Sequence, residues 1–372
     1  MAIAIALFVI VVASVIFHVV TPWWLTPLAS NWGAMDTTID ITMAITGLFF
    51  VVINLFIVYA LWRFRHREGV KAAYQPDNKR LERWLIGVTS IGIIGLLAPG
   101  LVVYANYVSP PGDVMVLEVL GQQWQWRYRF AGADGKFGGT DARFFSAATP
   151  FAIDPADPAG QDDVLVAGNE VHLPLGRPVK VILRSHDVLH DYFVPQFRAR
   201  MNIVPGQVSW FWFTPTVPGR YEAMCAQLCG VGHSAMHGYV VVEDEAAFRA
   251  WQARLPTFAA SRAPAAPAAG GDRLAQGRGL AETKGCVACH SSDGKPGVGP
   301  TWRGLFGKTE TMADESTALV DAKFLRDFIR DPKSRDIKGF PNVMPKMDLS
   351  DDEVDALAAY IETLGGTPPA RP

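Results

Sequence analysis

Cys225-Ala-Gln-Leu-Cys229-Gly-Val-Gly-His233-Ser-Ala-Met236 is the stretch on which the reading of this chain turns. It places two thiols, an imidazole and a thioether in one short run. The spacing resembles a helix face, but Gly230 and Gly232 argue for a loop between strands. Thiolate and thioether are soft ligands and imidazole suits copper, so the donor set points to copper. Zinc has little use for methionine. One thiolate with two imidazoles and a weak Met would make a mononuclear site, whereas two thiolates can bridge two copper ions. Each ion of such a pair needs one imidazole and one weak axial ligand. A second imidazole is at hand in Ser185-His186-Asp187-Val188-Leu189-His190. A Cys225–Cys229 disulfide, which an oxidising compartment permits, would leave His233 and Met236 without a purpose.

The residues around the loop read as an all-β sandwich or barrel. Val114–Leu120, Trp124–Phe130, Val179–Arg184, Val208–Thr214, Arg220–Cys225 and Gly238–Glu243 are short runs rich in Val, Ile and aromatics, separated by Pro, Gly and Asp. Strand alternation would point Trp124 and Trp126 to one face. Residues Ala131–Asp163 are a polar insertion with Gly-Gly, Asp-Gly and Asp-Pro steps, expected on the surface. Asp244–Leu255 reads as a short closing helix.

The remaining two of the four cysteines lie in Cys286-Val-Ala-Cys289-His290. Cys-x-x-Cys-His is a c-type haem attachment signature, with the cysteines as thioethers and the histidine as proximal ligand. A thioredoxin-like redox pair is the rival, but no strand–helix context supports it. The motif follows a helical stretch, Arg273–Lys284, and precedes Gly299-Pro300-Thr-Trp-Arg-Gly and Asn342-Val-Met344-Pro345. Ser350-Asp-Asp-Glu353 is a capping box opening a helix with Val354, Leu357, Ala358 and Ile361 on one face. Between the two regions, Thr257–Asp272 contains Ala-Pro-Ala-Ala-Pro-Ala-Ala-Gly-Gly and reads as a linker.

Three apolar runs, Ala2–Val20, Ile41–Trp62 and Leu85–Tyr107, each reach the ~20 residues needed to cross a ~30 Å hydrocarbon core as a helix. The loop between the second and third carries Arg63, Arg65, Arg67, Lys71, Lys79, Arg80 and Arg83, whereas Thr21–Asp40 has no Lys or Arg. Basic excess marks the cytoplasmic side, which sends the C-terminal two-thirds outside. The first run lacks the basic n-region of a signal peptide and is followed by Pro22-Trp23-Trp24, an interfacial aromatic belt, so a retained helix is expected. A net charge of −2 gives no reason to expect a nucleic-acid partner.

From the apolar runs to about residue 245 the chain resembles subunit II of haem–copper cytochrome c oxidases. The resemblance rests on the Asp187–His190 step, the Cys-x-x-x-Cys-Gly-x-x-His-x-x-Met loop and Gly121-Gln-Gln-Trp124-Gln-Trp126-Arg-Tyr128. It implies a cupredoxin-like β-barrel holding a binuclear copper (Cu-A) centre on His190, Cys225, the backbone carbonyl of Gln227, Cys229, His233 and Met236. It gives Trp124 the role of passing electrons into copper. The family usually has Glu where Gln227 stands; a carbonyl ligand survives that change, but a neutral amide is a poorer ligand for the magnesium ion that the Glu helps to hold. The C-terminal region resembles class I cytochromes c, which implies Met344 as distal ligand, in preference to Met347, and Pro300 as a group fixing His290. His/Met ligation raises the reduction potential.

The expected architecture is therefore a multidomain membrane protein. Transmembrane helices occupy 1–110 (about 2–20, 41–62 and 85–107), a cupredoxin-like domain 111–256, an Ala/Pro linker 257–272 and an all-α cytochrome c domain 273–366. The resemblance implies the electron-accepting subunit of an oxidase, with covalent haem c passing electrons to copper and on to the oxygen-reducing catalytic subunit. No site for oxygen chemistry lies on this chain; the proton-translocating activity belongs to the complex. Implied partners are catalytic subunit I, subunit III, membrane lipid and an external donor such as a cytochrome c or a quinol-oxidising complex. The implied place is a bacterial cytoplasmic membrane, with both redox domains on the periplasmic face. A Cu-A nitric oxide reductase small subunit and a copper carrier are the alternatives. A quinol oxidase subunit II shares the fold but lacks the copper ligands. A flexible ~16-residue linker spans roughly 20–24 Å and holds its cargo at millimolar effective concentration.

Overall fold

The structure, a computed structural model, describes residues 2–21, 26–71, 77–146, 149–166, 168–262, 273–347 and 349–365. It divides into a helical unit within residues 1–109 and a second unit formed by 29–31 and 110–372.

The helical unit consists of α1 (Ala2–Val20), α2 (Gly33–Arg63) and α3 (Lys79–Tyr107). All three are long and apolar enough to cross a membrane, and α2 packs against both others. No residue of α2 is buried, as expected of a helix facing lipid. Its hydroxyls fold back onto the helix: Thr38 and Thr42 donate to the carbonyls of Ala34 and Thr38, each at 2.8 Å. Polar side chains in hydrocarbon need such internal partners. Both α2 and α3 begin before their apolar runs. Asp36 and Asp40 are accommodated in the first turns of α2, and Asn78 caps α3 by accepting from the Leu81 amide at 3.1 Å. Pro22-Trp23-Trp24 lies outside the described residues.

In the second unit the chain builds β1 (Met115–Gln122), β2 (Gln125–Phe130), β3 (Val164–Val166), β4 (Glu170–Pro174), β5 (Val179–Ser185), β6 (His190–Val194), β7 (Ala199–Ile203), β8 (Ser209–Phe213), β9 (Gly219–Cys225) and β10 (His237–Glu243). They form two five-stranded sheets, β3-β2-β1-β5-β8 and β4-β10-β9-β6-β7. Trp126 and Tyr128 of β2 meet Tyr192 of β6 edge to face at 5.0 and 6.4 Å, filling the space between sheets. All six runs expected to be strands are strands. Four more were not anticipated: β3, β4, β6 and β7.

Two expectations need correction. The insertion Ala131–Asp163 is not simply surface. Phe151 and Ile153 are buried with Leu120 of β1, and Asp163 pairs with Arg129 at 2.8 Å while Glu118 also contacts Arg129, all three almost fully buried. Covered on both faces, β1 loses the in–out alternation of a half-exposed strand. The linker also begins later than Thr257. After α4 (Glu245–Gln252), α5 (Phe258–Arg262) packs on the barrel, with Phe258 buried beside Ile153. Its amide donates to Asp163 O at 2.8 Å. Burying one Phe contributes about 1.5–3 kcal/mol, enough to hold a short segment down. Residues 263–272, the Ala/Pro run, lie outside the described residues.

The C-terminal part comprises α6 (Arg273–Thr283), the hairpin β11 (Thr309–Thr311) and β12 (Thr317–Leu319), α7 (Ala322–Arg330) and α8 (Asp351–Leu364). The Ser350–Glu353 capping box is present, and Val354, Leu357, Ala358 and Ile361 are buried against Trp302 and Leu325. The small hairpin is an addition to the all-α expectation.

Candidate copper and haem sites

His190 starts β6, Cys225 ends β9, and the loop to β10 carries the other expected donors. Adjacent interior strands of one sheet, β6 and β9, thus bring Tyr192 opposite Cys225, with His190 two residues away. The loop contains no helix beyond one turn at His233–Ala235, as Gly230 and Gly232 anticipate.

The six expected donors converge. Cys225 Sγ lies 3.7 Å from Cys229 Sγ, 3.9 Å from His190 Nδ1 and 3.1 Å from the Gln227 carbonyl oxygen. Cys229 Sγ lies 3.6 Å from His233 Nδ1 and 3.9 Å from Met236 Sδ. Both thiols are free, at a separation well beyond the ~2.05 Å of a disulfide. Two sulfurs in the middle, with an imidazole and a weak donor at each end, fit a bridged pair of soft ions. His190, Cys225 and Cys229 are all buried with ligand atoms within 4.8 Å.

The surroundings prepare these donors. His190 Nε2 lies 2.8 Å from Asp187 Oδ1. That carboxylate fixes the ring and leaves Nδ1 facing the thiols, the carboxylate–histidine arrangement of metal sites. Burial opposes ionisation of Cys225, but the neighbouring His190 ring and the backbone at Asp191 and Gln227 outweigh it and bring the thiol down to about 6. Burial and the adjacent Cys225 sulfur push Cys229 up to about 12. The first thiolate forms readily; the second needs a bound cation. His186 stands apart, stacked on Phe145 with 3.4 Å between ring centroids.

Trp124 departs from the strand reading. Gln122 pairs with Gln125, so Gln123 and Trp124 form the two-residue turn between β1 and β2. Trp126 is buried in the core, whereas Trp124 lies across the copper loop. Its Nε1–H donates to the Cys229 carbonyl at 3.1 Å, and a Cβ at Gly232 would come within 2.3 Å of the indole. Gln123 adds two ties: its side-chain amide donates to the same carbonyl at 2.8 Å and its backbone N–H to Asp187 Oδ2 at 2.7 Å. Sequence reasoning gave Gln123 and Asp187 no role of their own; the Asp187–His190 spacing was the available signal.

Cys286, Cys289, His290, Met344 and Met347 line one cavity of about 550 Å³. The remaining walls include Leu325, Leu357 and Ile361, an apolar lining suited to a flat macrocycle. His290 Nδ1 lies 2.9 Å from the Pro300 carbonyl, which leaves Nε2 for iron. Burial lowers the His290 pKa, favouring the neutral imidazole that ligation requires. Met344 packs against the core beside the cavity. Trp124, Gln125 and Arg127 of the barrel line the same cavity. Gly285, just before Cys286, abuts Gln125: a Cβ there would stand 2.7 Å from Gln125 Oε1.

Fold and donor sets together define a membrane-anchored, cupredoxin-like protein of the oxidase type with an appended cytochrome. The family model for the periplasmic domain of cytochrome c oxidase subunit II matches residues 115–244, and that for cytochrome c matches 274–365. Alternative cytochrome c oxidase subunit 2 of Bradyrhizobium diazoefficiens is 49% identical over 259 residues, 70% of this chain and 94% of that protein. The chain belongs to the cytochrome c oxidase subunit II family. Cytochrome c oxidase subunit 2 of Cereibacter sphaeroides is 30% identical over 65% of this chain and 82% of that protein. The solved periplasmic domain of subunit II of cytochrome oxidase from Bradyrhizobium japonicum aligns at 21% identity and a TM-score of 0.28, covering 39% of this chain and 95% of that one. Copper and haem are the cofactors that the two matched families imply.

Proposed function

We propose that this chain is the electron-accepting subunit of a cytochrome c oxidase, anchored in a bacterial cytoplasmic membrane with both redox regions on the periplasmic side. Haem c and a copper pair, when bound, supply one-electron transfer toward an oxygen-reducing catalytic subunit I. The protein's own residues do the rest. Cys225 and Cys229, with His190, His233, Met236 and the Gln227 carbonyl, would hold the copper. Cys286 and Cys289 would anchor the porphyrin, and His290 and Met344 would hold its iron. Asp187 orients His190, and the burial of both thiols keeps water from the copper ligands.

The observation that carries this reading is the shared cavity. Trp124, hydrogen-bonded to the copper loop, and the residues around Cys286 line one space, and Gly285 rests on Gln125 beside that tryptophan. Trp124 is then the bridge between the two sites. Flash reduction of the haem in the full-length, copper-loaded protein tests this. First-order copper reduction independent of protein concentration is expected, slowed in Trp124→Ala. A rate that scales with concentration, or one unchanged in Trp124→Ala, overturns it.

A further inference from the structure

His290 is gripped on more sides than the hydrogen bond to Pro300. That bond fixes one nitrogen, at 2.9 Å, but a single point leaves the ring free to rock about it. Trp302 removes the freedom. Its indole lies parallel to the imidazole, 10° between planes and 5.4 Å between centroids, and is itself only 5% exposed. Tyr360 of α8 holds the indole in turn, edge to face at 6.0 Å and 84°. Against the ring from another direction comes backbone at Gly299, where a Cβ would intrude to 2.5 Å from His290 Cε1. The Gly299 and Trp302 amides donate to Cys289 O and Ser291 O at 3.0 and 2.8 Å, tying the clamp to the residues flanking His290.

We infer that Trp302 is a positioning residue that sets the plane of the His290 imidazole, with Tyr360 as its support; the inference rests on the haem-attachment reading above. A ligating imidazole is oriented by the groups around its ring, and ligand orientation is one means by which a protein tunes an iron centre. The chain from Tyr360 through Trp302 to His290 makes α8 part of that tuning, although no residue of α8 is a ligand.

The test uses the full-length protein purified in detergent, with haem attached. Trp302→Leu should alter the g-anisotropy of the ferric electron paramagnetic resonance spectrum and the pattern of paramagnetically shifted haem-methyl resonances. The reduced-to-oxidised ratio at fixed potential should change about threefold, equivalent to about 28 mV for one electron. Trp302→Phe, which keeps a stacking ring, should stay near the parent in all three. Tyr360→Leu leaves the stacked ring in place but unsupported, and should shift the spectra in the same direction by less. Spectra unchanged in Trp302→Leu despite a lowered melting temperature would make Trp302 a packing residue and overturn the inference. If Trp302→Leu takes up no haem, unchanged spectra in Tyr360→Leu overturn it equally. A parent protein without covalently attached haem would instead overturn the haem reading, and this inference with it.

Discussion

The indole N–H of Trp124 donates to the carbonyl of Cys229 at 3.1 Å, so the turn between the first two strands is bonded directly to the loop that follows Cys225 and carries Cys229. The bond joins residues 105 positions apart, and the ring it holds packs flat on Gly232. Any side chain at 232 must displace it. Gly232→Ala is therefore expected to cost about 1–3 kcal/mol by overpacking and to slow copper reduction by the haem while leaving copper content unchanged. Metal analysis and flash kinetics on one preparation check both halves.

Asp187 would act on bound copper through His190, whose Nε2 lies 2.8 Å from its carboxylate. With Asp187→Asn, His190 keeps a hydrogen-bonding neighbour but loses the carboxylate on Nε2. Copper affinity should fall about 10–100-fold, the usual effect of removing such a partner. Titration against a competing chelator measures this.

The two thiols should differ in the metal-free protein. Cys225 is lowered to about 6 and Cys229 raised to about 12. A lowered value means that thiolate is present above pH 6, so alkylation of Cys225 should rise through pH 6 and then level. Cys229 should remain unreactive until strongly alkaline pH. Peptide mapping after timed alkylation across a pH series distinguishes them; equal profiles would contradict the asymmetry.

Arg129 lies under the insertion, paired with Glu118 and Asp163 where all three are almost fully buried, and Arg184 also reaches Glu118, at 3.1 Å. Removing one partner of a buried pair leaves charge uncompensated, which costs about 3–5 kcal/mol. Arg129→Met should lower stability by that amount, measured by denaturant unfolding of the full chain, and should expose the insertion to protease at Phe144 and Phe145 before the barrel opens.

The candidate copper donors stand out because soft ligands at fixed spacing have few other uses, and the structure brings them together; the Cys-x-x-Cys-His motif stands out because it is compact. The six richest strands were legible from Val, Ile and aromatic content. The missed strands show where that signal fails. In β4, Glu170 and His172 alternate with Val171 and Leu173, but a run of five ending in Pro174 is too short to stand out. In β7, Arg200 and Asn202 occupy the outer face, and neither favours a strand by itself. Thr257–Phe258 was assigned to the linker because one aromatic beside an Ala/Pro tract carries no local sign of a pocket waiting for it. The ties of Gln123, Asp187 and Trp302 depend on residues brought together by folding, so no window of sequence contains them.

Phe258, seated in the barrel beside Ile153, fixes the place from which the chain sets out toward the cytochrome. The chain is thus moored at the insertion as far as Arg262. An engineer wishing to transplant the cytochrome onto another copper barrel would have to bring the mooring too: Thr257–Arg262 together with the Phe151–Ile153 shelf that receives it.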